Sequence, residues 1–421
     1  MIVLLIALLT LLLIPPVYAV DVAVVQQAGR TTAGTADFTS TGFGTPVAAM
    51  CMSSYGVSNG TSVAGVGFTI GFTDGTRQNT AFMRSKDGVT TTVAGRRADT
   101  TDILYYADQD GTTIGRVQFS AWITDGVRLN WSVAPASAYQ VSCTLFGGSG
   151  VTNAYVNTVT TPGVVDTSTT VNTVGFQPDL VIGAISGDGT YNDTNQAHAD
   201  MSVGYAIRSS SQKGIGWKDV NSVTTTAITE KVLGSHIGYS VNGTQQVEIQ
   251  NFTSNGFDAT TRTTGAAATL GYLALKLNGL SVTGLAIDSP TATGSQAITG
   301  ITGTPQWGML IAGGAQSIDS PVTTTDAEVF GVSSFTSAAQ SCFGVSSDDG
   351  VGTSNTDTVA DAKPICLIKD NAAFYDASFT SFGSGAATFN YGTANGTTRK
   401  WVGLFLSDSS SSSFGTLRRR H

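Results

Sequence analysis

The chain has 421 residues, of which 12% are charged and 41% hydrophobic, and 50 are glycine. That length allows several domains, and the apolar content excludes a disordered chain. With 21 basic against 29 acidic residues and a net charge of −8, general nucleic-acid binding is excluded, because it needs basic patches to neutralise phosphates.

Residues 1–19, MIVLLIALLTLLLIPPVYA, form an apolar run from Ile2 to Ile14, broken by Pro15-Pro16 and ending at the small Ala19. This reads as a secretory signal cleaved after Ala19, although no Lys or Arg precedes the run. The alternatives are a retained anchor or a buried element. The run is short for a spanning helix, which needs about 20 apolar residues. Contact with a membrane is expected only if residues 1–19 are retained.

From residue 20 onward the elements are short. Runs rich in Val, Thr, Ile, Phe and Tyr alternate with Gly, Ser, Asn and Asp clusters such as Asp74-Gly75, Asp87-Gly88, Asp110-Gly111 and Asn242-Gly243. This pattern predicts strands joined by tight turns. The stretch VGFQPDLVIGA (174–184) reads as a turn, a proline and a core strand. Proline lacks the ladder donor and belongs at a strand start. The run beyond it suits burial on both faces.

Two relatives of this stretch occur, TGFGTPVAAMCM at Thr41–Met52 and TGTPQWGMLIA at Thr302–Ala312. Their prolines, Pro46, Pro178 and Pro305, are 132 and 127 residues apart. A period this long signals repeated domains rather than a solenoid. A second landmark is FSAWITDGV, QNFTSNGF and SFTSFGSGA, each a strand ending in a polar turn with glycine. A third is a closing strand, in YQVSCTLFGG, GYLALKLNG and KWVGLFLSD.

Aligning Leu145, Leu277 and Leu406 gives one face of nine residues: Val141, Cys143, Leu145; Leu273, Leu275, Leu277; Val402, Leu404, Leu406. These are expected in the core, with Gln140, Ser142 and Thr144 more exposed. The organisation predicted is all-β: three tandem antiparallel β-sandwich domains of about eight strands each, at 20–150, 151–279 and 280–408. A Ser-rich basic tail, 409–421, carries Arg418–Arg420 and reads as a solvated end or a docking tail for an acidic partner.

The four cysteines follow from the same alignment. Cys51 lies opposite the Ala48, Met50, Met52 face, whereas Cys143 points inward by the nine-residue pattern. The thiols would then face opposite sides, so no Cys51–Cys143 disulfide is expected. Cys342 and Cys366, 24 residues apart, are either bridged or separate buried thiols.

Little in the chain suggests catalysis. The three histidines, His198, His236 and His421, form no zinc spacing. Gly234-Ser235-His236 is not a nucleophile elbow, and no phosphate- or dinucleotide-binding fingerprint occurs. Asp348-Asp349 could suggest paired carboxylates, but adjacent residues point apart on a strand, and Asp349-Gly350 reads as a turn. In the loop Ser186–Asp200, Asp188, Asn192, Asp193 and Asp200 could offer oxygens to calcium, though a solvated loop is the simpler reading. Asn59-Gly60-Thr61 and Asn395-Gly396-Thr397 are sequons by composition. No catalytic, cofactor or metal site is assigned.

The second copy resembles a domain of bacteriophage virion and tail-fibre proteins. The matching elements are Gly175-Phe176-Gln177-Pro178-Asp179 with Leu180-Val181, then Phe252 with Asn255-Gly256-Phe257, then Tyr272. Ile182-Gly183-Ala184-Ile185 departs from the aromatic and basic loop that usually follows in that family. The resemblance implies a concanavalin-like jelly roll in each copy and a non-enzymatic virion structural or fibre-like protein. Its partners would be other virion or cell-surface proteins, in a virion or at a cell surface, with a homo-oligomer as one form. An exported bacterial adhesin or carbohydrate-binding protein, with glycans as partners, is the alternative. A polysaccharide-cleaving enzyme is a third, weaker reading.

Overall fold

The computed structural model describes residues 21–187, 193–208, 211–240, 245–263, 267–323 and 328–408. The leader 1–19, the tail 409–421 and His421 therefore lie outside the described residues, as do Asp188 and Asn192. Every named element is a β-strand, and every ladder between them is antiparallel.

One strand order occurs three times. The first larger sheet runs, edge to edge, Val22–Ala28, Gln140–Phe146, Ala48–Ser54, Val66–Thr73, Gln78–Ser85 and Ala94–Asp99. Its smaller sheet runs Gly34–Thr39, Gly126–Val133, Thr113–Ile123 and Leu104–Ala107. The second set repeats this with Val151–Thr160, Thr269–Leu277, Leu180–Ile185, Ala199–Ile207, Gln212–Asp219 and Ile228–Leu233. Its smaller sheet is Ser168–Val171, Gly256–Thr261, Gln245–Thr253 and Gly238–Ser240. The third larger sheet is Leu280–Asp288, Lys400–Asp408, Pro305–Gly313, Val329–Phe335, Gln340–Ser347 and Thr356–Asp361. Gly294–Thr299, Ala386–Thr393, Ala372–Gly383 and Ile365–Lys369 complete it. Each set thus has ten strands, six facing four, rather than about eight.

The inner strands of each larger sheet are buried on both faces. One face packs on its own smaller sheet, giving three separate cores around Cys51 and Trp131, around Val181 and Tyr272, and around Leu310 and Phe389. The other faces of all three larger sheets meet in one shared core that includes Met50, Phe68, Ile182, Trp217, Trp307 and Leu404. Edge-to-face pairs Phe68–Phe330 (5.9 Å) and Phe146–Trp307 (5.6 Å) join the first set to the third. Tyr205 Oη donates to the Gly403 carbonyl at 2.7 Å, joining the second to the third. Leu180–Ile185 is buried at every residue, as expected for a strand with core on both sides.

The sets close into a ring through equivalent loops, following the strands Ala48–Ser54, Leu180–Ile185 and Pro305–Gly313. The loop after Ala48–Ser54 places Val63–Ala64 on the edge strand Thr356–Asp361 of the third set. The loop after Leu180–Ile185 places Gln196–Ala197 on Ala94–Asp99 of the first. The loop after Pro305–Gly313 bridges Ile318 and Val322 to Val232 and Glu230 of the second. Each set covers one edge of another, which removes three strand edges that could otherwise pair with a foreign chain.

At the inner junction the last residues of three equivalent strands meet. Ser85 Oγ (2.6 Å) and Ser347 Oγ (3.1 Å) both donate to Asp219 Oδ2. Asp219 is fully buried and its Oδ1 has no partner among the described residues. Burial raises its carboxyl to about 6, against smaller lowering contributions from the two serines.

The shared core corrects two expectations. All nine closing-strand residues are buried, but Ser142 and Thr144 are 0% exposed too. Ser142 Oγ donates to Ser341 Oγ at 2.7 Å, and Thr144 and Ser334 hydroxyls pair at 2.6 Å, both across the junction with the third set. The nine residues also do not share one environment. Val141, Cys143 and Leu145 face their own smaller sheet, whereas the other six face the shared core. Phe146 pairs with Ala48, Leu275 with Leu180 and Leu406 with Trp307. Ala48, Leu180 and Trp307 each stand two residues after their proline, so Phe146, Leu275 and Leu406 are the equivalent positions. Placing Leu145 against Leu277 displaces the first copy by an odd number of residues, and an odd shift reverses every side chain.

That reversal also explains the cysteines. Cys51 and Cys143 are directly opposed across neighbouring strands and lie on the same face of the sheet. They form a disulfide, with Cα atoms 4.1 Å apart. The expectation of no such bridge is therefore overturned. Cys342 and Cys366 are also bridged, with Cα atoms 5.8 Å apart, linking the two sheets of the third set.

Candidate functional site

The residues of GFQPD converge on one end of the second set. Gly175 has φ +81°, a conformation only glycine adopts without strain. This turn lets Phe176 pack on the Val181 and Tyr272 core. Gln177 Nε2 then donates to the Phe252 carbonyl at 2.7 Å. After Pro178, Asp179 Oδ2 accepts from Leu277 N at 2.9 Å. Its carboxylate also pairs with Arg208 (2.7 Å) and Lys276 (3.0 Å). Phe257 packs edge-to-face on Tyr272 at 5.1 Å and lies 6.4 Å from Phe252. The motif fastens the strand start to the closing strand and the smaller sheet.

The same end carries a groove of about 980 Å³, between Ile207, Arg208 and Lys213 on one side and the strand Gln245–Thr253 on the other. Gln177, Arg208, Lys213, Glu248, Gln250 and Phe252 are among its lining residues. The Gln212 amide holds its floor, accepting from Ile249 N at 2.8 Å and donating to Ile249 O at 3.2 Å.

The corresponding place is filled in the other two sets. In the first, Gln78 at the same strand position accepts from Phe119 N at 2.7 Å. There Phe119 and Trp122 form an edge-to-face pair at 4.7 Å, and Trp122 lies close over Gly75. In the third, Phe379 and Phe382 form the same pair at 4.7 Å and both contact Phe335. The ladders equate Ile123, Thr253 and Gly383, each opposite the glycine or alanine that begins the next strand. Ile249 and Phe252 are therefore the second set's counterparts. An aliphatic residue replaces one aromatic, and the smaller side chain leaves the groove open.

Charge in the groove is unevenly compensated. Arg208 is held by Asp179, and Glu248 pairs with Arg262, which also binds Asp166 at 2.5 Å. Lys213 Nζ instead donates to the Gly234 carbonyl at 3.0 Å. Partial burial lowers its pKa, and the more distant Asp319 offsets this only in part. His236 lies nearby, half-buried and bonded through Nδ1 to Ser235 Oγ at 3.2 Å. Burial lowers its pKa as well.

The other sequence candidates do not come together. His198 Nδ1 accepts from Asn221 N at 3.0 Å, in a loop of different surroundings. Asp349-Gly350 is a turn, with Gly350 at φ +72°, and Asp349 Oδ1 accepts from Ile228 N. Asp193 accepts from Thr100 N, while Asp200 is buried within Ala199–Ile207. Among the described residues no group of three or more His, Cys, Asp or Glu is arranged to hold a metal ion. Gln212 and Lys213 were not singled out from sequence. The available signal was the glutamine that opens the same strand in every copy, Gln78, Gln212 and Gln340.

No family model, curated protein or solved structure matches the chain.

Proposed function

We propose that the protein is a non-enzymatic structural protein displayed on a surface, of the phage virion or fibre type, built from three tandem concanavalin-like jelly-roll domains. The observation that carries this reading is the closed ring. Three sandwich-like sets bury one common core and cover one another's edges, so one chain makes a rigid body with its smaller sheets outward. The strand order supports the jelly-roll assignment. In each set the first and last strands pair in the larger sheet, and the second and second-last pair in the smaller. The convergence of Phe176, Phe252, Phe257 and Tyr272 in one core supports the resemblance of the second copy. The two disulfides and the leader-like segment suit an oxidising, exported setting. Partners on this reading are other virion or surface proteins. The test is to assay purified virions and culture supernatant by mass spectrometry. Stoichiometric presence in virions is expected, and recovery only from the supernatant or cell envelope overturns it.

The second reading, an exported adhesin or carbohydrate-binding protein, is favoured by the open polar groove of the second set. Retention of glycans by the full chain on an array is the expected result on that reading.

A further inference from the structure

We infer that the groove of the second set binds a carboxylate-bearing saccharide, with Lys213 receiving the carboxylate. This inference rests on the carbohydrate-binding reading and names its ligand class.

Comparison within the molecule identifies the groove as a departure from the repeat. The first and third sets plug the same place with Phe119/Trp122 and Phe379/Phe382, while Ile249 and Phe252 leave it open. A larger aromatic at this position is compatible with the backbone, because two sets of the same topology carry one.

The lining suits a polyhydroxyl ligand. Gln250 uses its amide oxygen to accept from Thr260 Oγ1 at 3.3 Å, and among the described residues its NH₂ has no acceptor. Asn251 uses its NH₂ on Asp258 Oδ2 at 2.8 Å, and among the described residues its carbonyl has no donor. The half-buried Phe252 adds an apolar surface beside these amides. Such a mixture of amide groups and one ring matches the alternating hydroxyl and C–H surfaces of a sugar.

Lys213 decides the charge. Arg208 and Glu248 already have ionic partners in Asp179 and Arg262. Among the described residues Lys213 forms no salt bridge, and its ammonium spends one of three donors on a neutral carbonyl. Burial disfavours its charged form, so an arriving carboxylate would replace lost hydration with a charge-assisted hydrogen bond. A neutral sugar gains no such replacement.

The test uses the full chain on an array carrying uronate-containing, sialylated and neutral glycans, followed by calorimetry with the best acidic glycan and its neutral counterpart. The acidic form is expected to bind at least tenfold more tightly, with the difference shrinking at high salt. Lys213→Met should erase that preference. The double variant Ile249→Phe/Phe252→Trp, which installs the first set's plug, should abolish binding while keeping the wild-type melting curve. If acidic and neutral forms bind equally and Lys213→Met changes nothing, the assignment of a carboxylate falls while the carbohydrate reading stands. Retention of no glycan overturns both. Binding that survives in a folded plugged variant overturns the choice of groove.

Discussion

The second set differs from the first and third in ways that track one another. All three share a strand order and contribute a larger sheet to one core. The first and third each carry a disulfide and an aromatic pair that closes the end of the sandwich. The second has neither, and in place of the pair it has a groove with a solitary lysine. At the strand start, where the first and third sets place Val47 and Gln306 after the proline, the second places Asp179, which ties the strand to Arg208, Lys276 and Leu277 N. Backbone topology is therefore not what opens the groove. The side chain at one position is, Ile249 standing where the others carry Phe119 and Phe379, and the other two sets act as internal controls.

The largest effect is expected from removing the disulfides. Cys51–Cys143 closes 92 residues and Cys342–Cys366 closes 24. Loop-closure entropy then assigns them about 4.5 and about 3.5 kcal/mol. Replacing each pair by alanine should lower the denaturation midpoint, the first pair more than the second. Reduction that leaves the midpoint unchanged would break the idea that bridges stiffen these two sets.

Next comes Asp219, where the second set alone brings a carboxylate to the junction with Ser85 and Ser347. Its folded pKa, about 6, lies above the unfolded value of about 3.9. The group's contribution to stability is thus full below about pH 4 and is lost as pH rises through 6, a penalty of about 3 kcal/mol at pH 7. Asp219→Asn should be more stable than wild type at pH 7 and should flatten the pH dependence between 4 and 6. An unchanged slope in urea melts across that window would refute the assignment.

A smaller effect is expected from Asp179→Asn. It keeps the shape but removes two ion pairs whose basic partners are about a third exposed. A loss of about 1.5 kcal/mol is expected, read from chemical denaturation. A neutral result would mean that the second set needs this fastening no more than the others do. The smallest change should come from the grafted plug Ile249→Phe/Phe252→Trp, with stability within about 1 kcal/mol of wild type. A large destabilisation there would show that the second set's backbone has diverged and is no longer a fair control for the others.

How much of this was legible beforehand differs between elements. The prolines at Pro46, Pro178 and Pro305 mark equivalent strand starts because the missing donor restricts proline to such places. Both-face burial of Leu180–Ile185 was readable because its two faces are each apolar. The groove was not readable, since it depends on Ile249 standing where other copies have phenylalanine, and that equivalence emerges only from the ladder register.

What the amino-acid order determined alone was local and repetitive: short strands, glycine turns, proline starts and a recurrent period. Tertiary structure decided which face was which. Period-two alternation identifies an inward face only when the opposite face is wet. Ring closure leaves neither face of the strand Gln140–Phe146 wet, because Ser142 and Thr144 are buried by pairing with hydroxyls of a set some 190 to 199 residues away. Alternation in the first closing strand therefore could not distinguish two cores, and the Cys51–Cys143 bridge was settled by cross-strand register, a property of the folded sheet rather than of either strand.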